Sequence, residues 1–288
     1  MILPRFEIAE PATVKEACAI LEKNPNARVI AGGTDLLVIL KTKVFTTDLV
    51  VSLLKIAELK TISFSEKAGL SIGPLATITE IETSPVILKN YPLLAKAAGK
   101  IGSAQIRNRA TIGGNICSAR PAGDTIGPLI ALGASVKIAG SRKNRSELIS
   151  GIFKGPGETT IGRNEILTGI TIKTPVAKTG SEFIKYGIRN AMEIAMVSVT
   201  TLINLKGDAC ASAKIVAGAV GPTFIECEAA EKYLAGKKIS DDTAAEAGRL
   251  AMESCRPRSS TRASAEYRRQ LVQVFVKRGL LESAASAH

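Results

Sequence analysis

Two short stretches of this chain combine residues suited to holding an anionic ligand. The first is Val29-Ile30-Ala31-Gly32-Gly33-Thr34-Asp35-Leu36-Leu37, a β-branched run ending in paired glycines, two good capping residues and an apolar stretch. It reads as a strand, a tight turn and the start of a helix. Such turns point unpaired backbone N–H groups outward, where phosphate oxygens are natural guests. An ordinary glycine turn has the same composition. The stretch matches neither G-x-x-x-x-G-K-[ST] nor G-x-G-x-x-G, so a P-loop and the usual dinucleotide fingerprint are both excluded. The second stretch, Gly102 to Cys117, contains Arg107, Arg109, Thr111-Ile112-Gly113-Gly114-Asn115, and runs on to Pro121-Ala122-Gly123-Asp124-Thr125. Two glycine turns of this kind fit a pyrophosphate held from both sides. Arg107 and Arg109 suit either a phosphate contact or exposed charges at the start of a strand. Gly155-Pro156-Gly157 reads as a plain turn.

Side chains able to do chemistry unaided are scarce. The only histidine is His288, the last residue, which argues against a histidine dyad, a His-ligated metal or an imidazole proton relay. Cys18, Cys117, Cys210, Cys227 and Cys255 are separated by 99, 93, 17 and 28 positions, with no C-x-x-C. A zinc ribbon, or an iron–sulfur cluster held by this chain alone, does not fit that spacing, and most of the cysteines read as small buried hydrophobes. Demanding chemistry would therefore fall to a bound organic cofactor.

Length and composition set the frame for these sites. The chain has 288 residues, 45% hydrophobic and 22% charged, enough for about two folded domains. Its longest uncharged stretches, Thr125 to Val136 and Ile194 to Leu205 among them, have 12 residues each, short of the ~20 needed to span a bilayer. Residues 1–10 show no apolar leader, so the cytoplasm is the expected location. Net charge is +12. Eight bases against two acids lie between Arg249 and Arg278, which suits a solvated helix face first, a partner-subunit contact next and nucleic acid last. Mean hydropathy of +0.18 is high for a solitary soluble chain and suggests apolar surface covered by neighbours.

The elements that must position the glycine stretches follow from periodicity and punctuation. A helix is expected over Thr13 to Glu22, with Thr13 and Glu16 as a capping box, then strands at Ala27 to Ala31 and Leu49 to Ser52. Short strands such as Leu70 to Ile72 and Ser135 to Ala139 follow, with helices starting near Thr79 and Leu93. After a linker from Thr174 to Gly180, three strands are expected at Glu182 to Tyr186, Ala195 to Leu205 and Ala213 to Ala219. Helices then cover Glu226 to Leu234, Thr243 to Ser254 and Ala265 to Leu281.

Ala31-Gly32-Gly33-Thr34-Asp35 together with Thr111-Ile112-Gly113-Gly114-Asn115 resembles the FAD-binding medium subunit of the molybdenum hydroxylases, the xanthine dehydrogenase and carbon monoxide dehydrogenase family. Ser71 to Thr77, Glu165-Ile166-Leu167, Phe183-Ile184-Lys185 with Arg189, Ile194-Ala195 and Ala265 to Arg269 extend the resemblance over nearly the whole chain. It implies an α+β fold. A two-part FAD-binding domain would cover residues 1–174, with a small α/β subdomain (about 1–54) and a mixed-sheet subdomain (55–174). A carboxy-terminal domain (175–288) would hold a three-stranded antiparallel sheet with helices.

The function it implies is that of an FAD-carrying electron-transfer subunit. A small subunit with two-iron two-sulfur clusters would deliver electrons, a large molybdopterin subunit would hydroxylate the substrate, and an external acceptor would take electrons from the FAD. The resemblance carries cofactor binding to Ile30, Ala31, Gly32, Gly33, Thr34, Asp35, Leu36, Ile101, Thr111, Ile112, Gly114, Asn115, Asp124, Leu167 and Lys185. Residues 31–35 and 111–115 would hold the pyrophosphate and adjoining ribityl, and Asp124 the ribityl or ribose hydroxyls. Leu167 and Lys185 would lie near the isoalloxazine, where a cationic lysine favours the reduced, anionic flavin. Relatives commonly have aspartate where this chain has Glu193, and the cysteines do not suit the extra-cluster loop of the hydroxybenzoyl-coenzyme A reductases. A stand-alone FAD oxidoreductase of the same fold and a non-catalytic nucleotide-binding assembly protein are the alternatives.

Overall fold

The computed structural model describes residues 2–287, so His288 lies outside the described residues. The chain begins with a three-stranded parallel sheet of order β1–β3–β2, formed by β1 (Glu7–Ala9), β2 (Arg28–Ile30) and β3 (Leu49–Ser52). Parallel strands require crossovers, supplied here by α1 (Val14–Lys23) and α2 (Leu36–Lys41). The Thr13 hydroxyl caps α1 by accepting from the Glu16 N–H at 3.2 Å, but the Glu16 carboxylate accepts from the Ala12 N–H at 2.9 Å, one residue earlier than a capping box places it. Ala17, Cys18 and Leu21 of α1 are buried against Val51, Leu59 and Ile166.

A five-stranded sheet follows, ordered β4–β5–β10–β6–β7: β4 (Ile62–Ser65), β5 (Gly69–Ile72), β6 (Ser135–Gly140), β7 (Asn144–Leu148) and β10 (Glu165–Ile172). Its edge is followed by a small hairpin of β8 (Phe153–Gly155) and β9 (Glu158–Thr159). Every pairing in the five-stranded sheet is antiparallel, which corrects the expected mixed sheet. The reason lies in the connections. β4–β5 and β6–β7 are tight hairpins, and β10 inserts between them running opposite to both neighbours. Six short helices pack on this sheet: α3 (Ile78–Thr83), α4 (Pro85–Asn90), α5 (Pro92–Ala98), α6 (Ala104–Arg107), α7 (Ile112–Cys117) and α8 (Ile126–Ala131). Pro85 and Pro92 open α4 and α5 at the first helical turn, where a missing N–H is harmless. Ile72, Ile81, Leu94, Ile112, Leu129 and Ile170 lie in the main core.

The carboxy-terminal sheet is antiparallel, of order β11–β12–β13–β14: β11 (Thr179–Tyr186), β12 (Val197–Lys206), β13 (Ala209–Gly218) and β14 (Ile225–Glu226). It has four strands rather than the expected three. The fourth is only two residues long, too short to show alternation, and it occupies the position assigned to the start of a helix. That helix, α9 (Glu228–Leu234), begins two residues later, and α10 (Asp241–Ser254) and α11 (Ala265–Ser286) complete the layer on the sheet. The segment expected as linker is partly sheet: at Gly180 in β11 a Cβ would fall 1.9 Å from the Ser283 carbonyl oxygen of α11. Helix α8 contacts β12 and β13, and Val216 of β13 belongs to the main core, so the two halves share packing. Among the described residues no helix is long and apolar enough to cross a membrane.

Candidate functional site

The two glycine stretches meet. Gly32 follows β2, and a Cβ there would lie 1.9 Å from the carbonyl oxygen of Arg109 and 3.0 Å from Ala110 Cα. Only glycine permits this backbone-to-backbone approach. Gly33 has φ +77°, the left-handed region that turns the chain from β2 into α2. Asp35 stands at the amino end of α2 with no side-chain cap hydrogen bond, and Thr34 beside it is half-buried.

The second glycine pair differs in kind from the first. It sits in the opening turn of α7, where the Thr111 hydroxyl accepts from the Gly114 N–H at 3.1 Å, so a helix start replaces the expected turn. Gly113 is pressed on Pro74, to which a Cβ would come within 2.5 Å. Gly114 is exposed, and a Cβ there would meet only its own cap hydroxyl, Thr111 Oγ1, at 3.0 Å. Packing explains Gly32 and Gly113, backbone conformation explains Gly33, and Gly114 is the exposed one of the four, with the Thr111 hydroxyl as the one atom that a Cβ there would meet. The second stretch is also tied to the strand-and-turn at Ser71 to Thr77: Ile112 N donates to Ala76 O at 3.0 Å and Gly113 N to Pro74 O at 2.9 Å.

From α7 the site continues to a buried ion pair. Asn115 Oδ1 accepts from the hydroxyl of the buried Thr125 at 2.7 Å, which fixes the neighbouring Asp124. Lys185 of β11 donates to Asp124 Oδ2 at 2.7 Å and to the Lys100 carbonyl at 2.9 Å. The two side chains are 7% (Asp124) and 9% (Lys185) exposed. Burial pushes the Asp124 carboxyl up to about 6, with the Lys185 ammonium pulling the other way. Asp124 Oδ1 is buried and has no partner within the chain. Ile101, buried, follows Lys100 and precedes Gly102, whose carbonyl accepts from Met192 N at 3.0 Å in the β11–β12 loop. Lys100, Lys185, Gly187, Arg189 and Glu193 line a small cavity there.

Other expected residues fall differently. Ile30 and Leu36 flank the first loop, and Ile112 is fully buried in the main core. Leu167 sits on β10 opposite Ile138 at a β-bulge, with its side chain in the main core rather than in the Asp124–Lys185 pair. Arg107 closes α6 and is bound to Glu82 at 2.6 Å and to the Ile101 carbonyl at 3.1 Å, while Arg109 is exposed. Neither begins a strand. The basic segment is also not one solvated face: Arg268 is buried and donates to the Met196 carbonyl, Arg249 pairs with Glu246 and Glu253, and Lys277 pairs with Asp241. Arg256, Arg258, Arg262 and Arg269 remain on the surface. Thr125 and the Lys100 carbonyl were missed by sequence reasoning. A threonine directly after Asp124 was the one available signal, and a backbone acceptor leaves none.

Residues 4–175 match the family described as FAD binding domain in molybdopterin dehydrogenase, and residues 182–283 match the CO dehydrogenase flavoprotein C-terminal domain. The chain is 32% identical over 277 residues to a putative xanthine dehydrogenase FAD-binding subunit of Escherichia coli (strain K12), covering 96% of this chain and 95% of that one. It is likewise 32% identical over 284 residues to the glyceraldehyde dehydrogenase medium chain of Sulfolobus acidocaldarius, covering 99% and 100%. A carbon monoxide dehydrogenase structure from Hydrogenophaga pseudoflava superposes with TM-score 0.97 at 30% identity over the full length of both chains. Paired glycine loops in contact, joined through Asn115 and Thr125 to a buried Asp–Lys pair, thus occur in a chain that belongs to the FAD-binding subunits of the molybdenum hydroxylases, the xanthine and carbon monoxide dehydrogenase family.

Proposed function

We propose that this chain is the electron-transferring FAD subunit of a three-part molybdenum hydroxylase. In this reading it takes electrons from the two-iron two-sulfur clusters of a small partner and passes them to an external acceptor, while a large molybdopterin partner acts on the substrate. Residues 1–174 would hold the cofactor, and residues 175–288 would close over its ring end. The observation that carries the proposal is the pairing of an open glycine face at Gly114 with a buried, unpartnered carboxylate oxygen at Asp124. A buried polar atom of that kind is costly unless a ligand satisfies it.

The residues present fit a flavin dinucleotide. Ala31 to Asp35 offer backbone N–H groups and little side-chain bulk, suited to the pyrophosphate, whereas the N–H groups of Ile112 to Asn115 are bonded within the chain and Thr111 to Asn115 would contribute chiefly the small exposed face at Gly114. Asp124 Oδ1 is an acceptor for a ribityl or ribose hydroxyl. Lys185 holds Asp124 ionised and in place, and Asp124 in turn offsets the lysine's charge toward the ring above pH ~6. Once bound, FAD supplies the hydride and single-electron chemistry that the side chains lack.

Acid denaturation of the purified complex tests the cofactor assignment: one FAD per chain should appear in the supernatant, and FMN or no flavin would overturn it. Native mass spectrometry tests the partners and should show a large and a small subunit with this chain. An isolated chain that turns over a substrate unaided would favour the stand-alone oxidoreductase instead.

A further inference from the structure

Two connecting segments of the carboxy-terminal half form one surface. The β11–β12 loop (187–196) and the α10–α11 connection (255–264) are laced together, because Arg262 donates to the Ile194 carbonyl at 2.8 Å and lies 3.7 Å from the Glu193 carboxylate. Beside them the Tyr186 and Tyr267 hydroxyls stand 3.4 Å apart. The loop is also held in shape. Met192 has φ +51°, a costly conformation for a residue with a side chain, and is fixed there by its N–H on the Gly102 carbonyl and by its own carbonyl, which accepts from Arg189 at 2.7 Å.

This fixed framework displays side chains that water solvates poorly. Ile188, Met192 and Ile194 are 67%, 54% and 62% exposed, with Tyr186 and Tyr267 exposed beside them. A grouped apolar surface rimmed by polar residues marks a place of contact. Every base in residues 186–194 and 255–270 is an arginine, and of the six only Arg268 is buried. The Glu193 side chain is 6% exposed and engaged by Arg189 and Arg262, which leaves Glu266 as the one exposed acid of these segments. Aromatic residues, methionine and arginine in place of lysine are what the centres of protein interfaces favour, and the excess of positive charge selects an acidic partner.

We propose that this surface is the standing contact for the small iron–sulfur subunit, which meets it through an acidic, partly apolar face. The inference rests on the reading of this chain as the FAD subunit of a three-part hydroxylase. In that reading Lys185 stands at the ring end of the cofactor, and Tyr186 directly follows it, so a partner seated here comes up to the end where electrons enter. An external acceptor would meet the surface only in passing, and passing electron-transfer contacts are small. Several large apolar side chains on a loop already held in shape suit a partner that stays.

The test uses the complex purified through this chain, with native mass spectrometry, flavin absorbance and a melting curve for each variant. Ile188 and Met192 stand outside the lining of the cavity beside Lys185, so Ile188→Ser with Met192→Ser should keep the fold, the FAD and the large subunit while weakening retention of the small subunit at least ~10-fold. Arg258→Glu with Arg269→Glu should lower that retention at low salt, and the wild-type complex should release its small subunit as salt is raised. In the wild-type complex Met192 should resist oxidation by hydrogen peroxide and become oxidisable once salt has removed the small subunit. If the serine pair fails to fold, the arginine pair and Met192 oxidation decide. Variants that keep the small subunit, or a Met192 that oxidises equally fast with it bound, would show the surface to be wrongly assigned. Loss of flavin or of the large subunit in its place would overturn the proposal as well. A wild-type complex that never contains a small subunit would refute the three-part reading itself, and the proposal with it, whereas the other failures leave that reading standing.

Discussion

At Gly32 and Gly33 the site is made by backbone and by the absence of side chains, whereas at Asp124 and Lys185 two charged side chains from opposite halves of the chain close on one another. The first region works by geometry: a Cβ at Gly32 would occupy the space of the Arg109 carbonyl. The second works by electrostatics in a poorly solvated place, where a carboxyl titrates near 6 because burial outweighs its lysine partner. The difference teaches that the first region is limited by added bulk and the second by a change of charge.

The comparison breaks most visibly at Lys185. Lys185→Met leaves Asp124 buried without a counter-charge, and at pH 8 it should cost roughly 3–5 kcal/mol of stability. Thermal melts across pH check this, because the deficit should shrink below pH 5, where Asp124 is protonated. Equal destabilisation at every pH would mean that packing, not charge, is what the lysine supplies.

In the cofactor-free wild type, Asp124 itself contributes a pH dependence of fixed sign. Its folded value, about 6, lies above the ordinary 3.8, so the folded state holds that proton more tightly than the unfolded chain does. The associated stability, of order 3 kcal/mol, is present in full below pH ~4 and is lost as pH rises through about 6. Asp124→Asn should remove this slope from a stability–pH curve. With FAD bound to the carboxylate form, retention of the flavin should fall as pH drops below about 6, measurable by fluorescence of released flavin.

Bulk in the glycine loops sharpens the other side. Gly32→Ala must separate two backbones and should cost about 1–3 kcal/mol as well as most of the bound flavin. Gly114→Val should change stability by no more than ~1 kcal/mol, since the residue is exposed and a Cβ there would meet only the Thr111 hydroxyl, at the cost of part of that cap, yet leave folded protein nearly free of flavin. Circular dichroism with flavin absorbance separates the two, and full flavin content in Gly114→Val would remove that residue from the site.

The smallest effects separate the two arginines. Arg107→Gln loses its partners Glu82 and the Ile101 carbonyl and should lower stability by about 1 kcal/mol without a specific effect on flavin. Arg109→Gln should leave the melting temperature unchanged, and a weakened, salt-sensitive flavin affinity in this variant would assign it a phosphate contact.

Much of the local structure was legible. Thr13 capping α1, the strand at Leu49 to Ser52, the turn into α2 and the helix from Ala265 each follow from capping chemistry, apolar periodicity or glycine placement. What escaped did so for physical reasons. The strand at Ile225–Glu226 is too short to carry a period, and the second glycine pair reads as a turn until Thr111 is seen capping the helix that contains it. Arg107 looked free because Glu82, its partner, lies 25 positions away on another helix.

By itself the amino-acid sequence determined where the chain can turn, which faces must be buried and where the two glycine pairs stand. Those properties reside in single residues and their near neighbours. The tertiary structure alone decided that Gly32 presses on Arg109 and that Asp124 meets Lys185 across 61 positions. Contacts of that kind depend on how the sheets and helices pack, and periodicity, which reports only local burial, is blind to the partner that a distant segment brings.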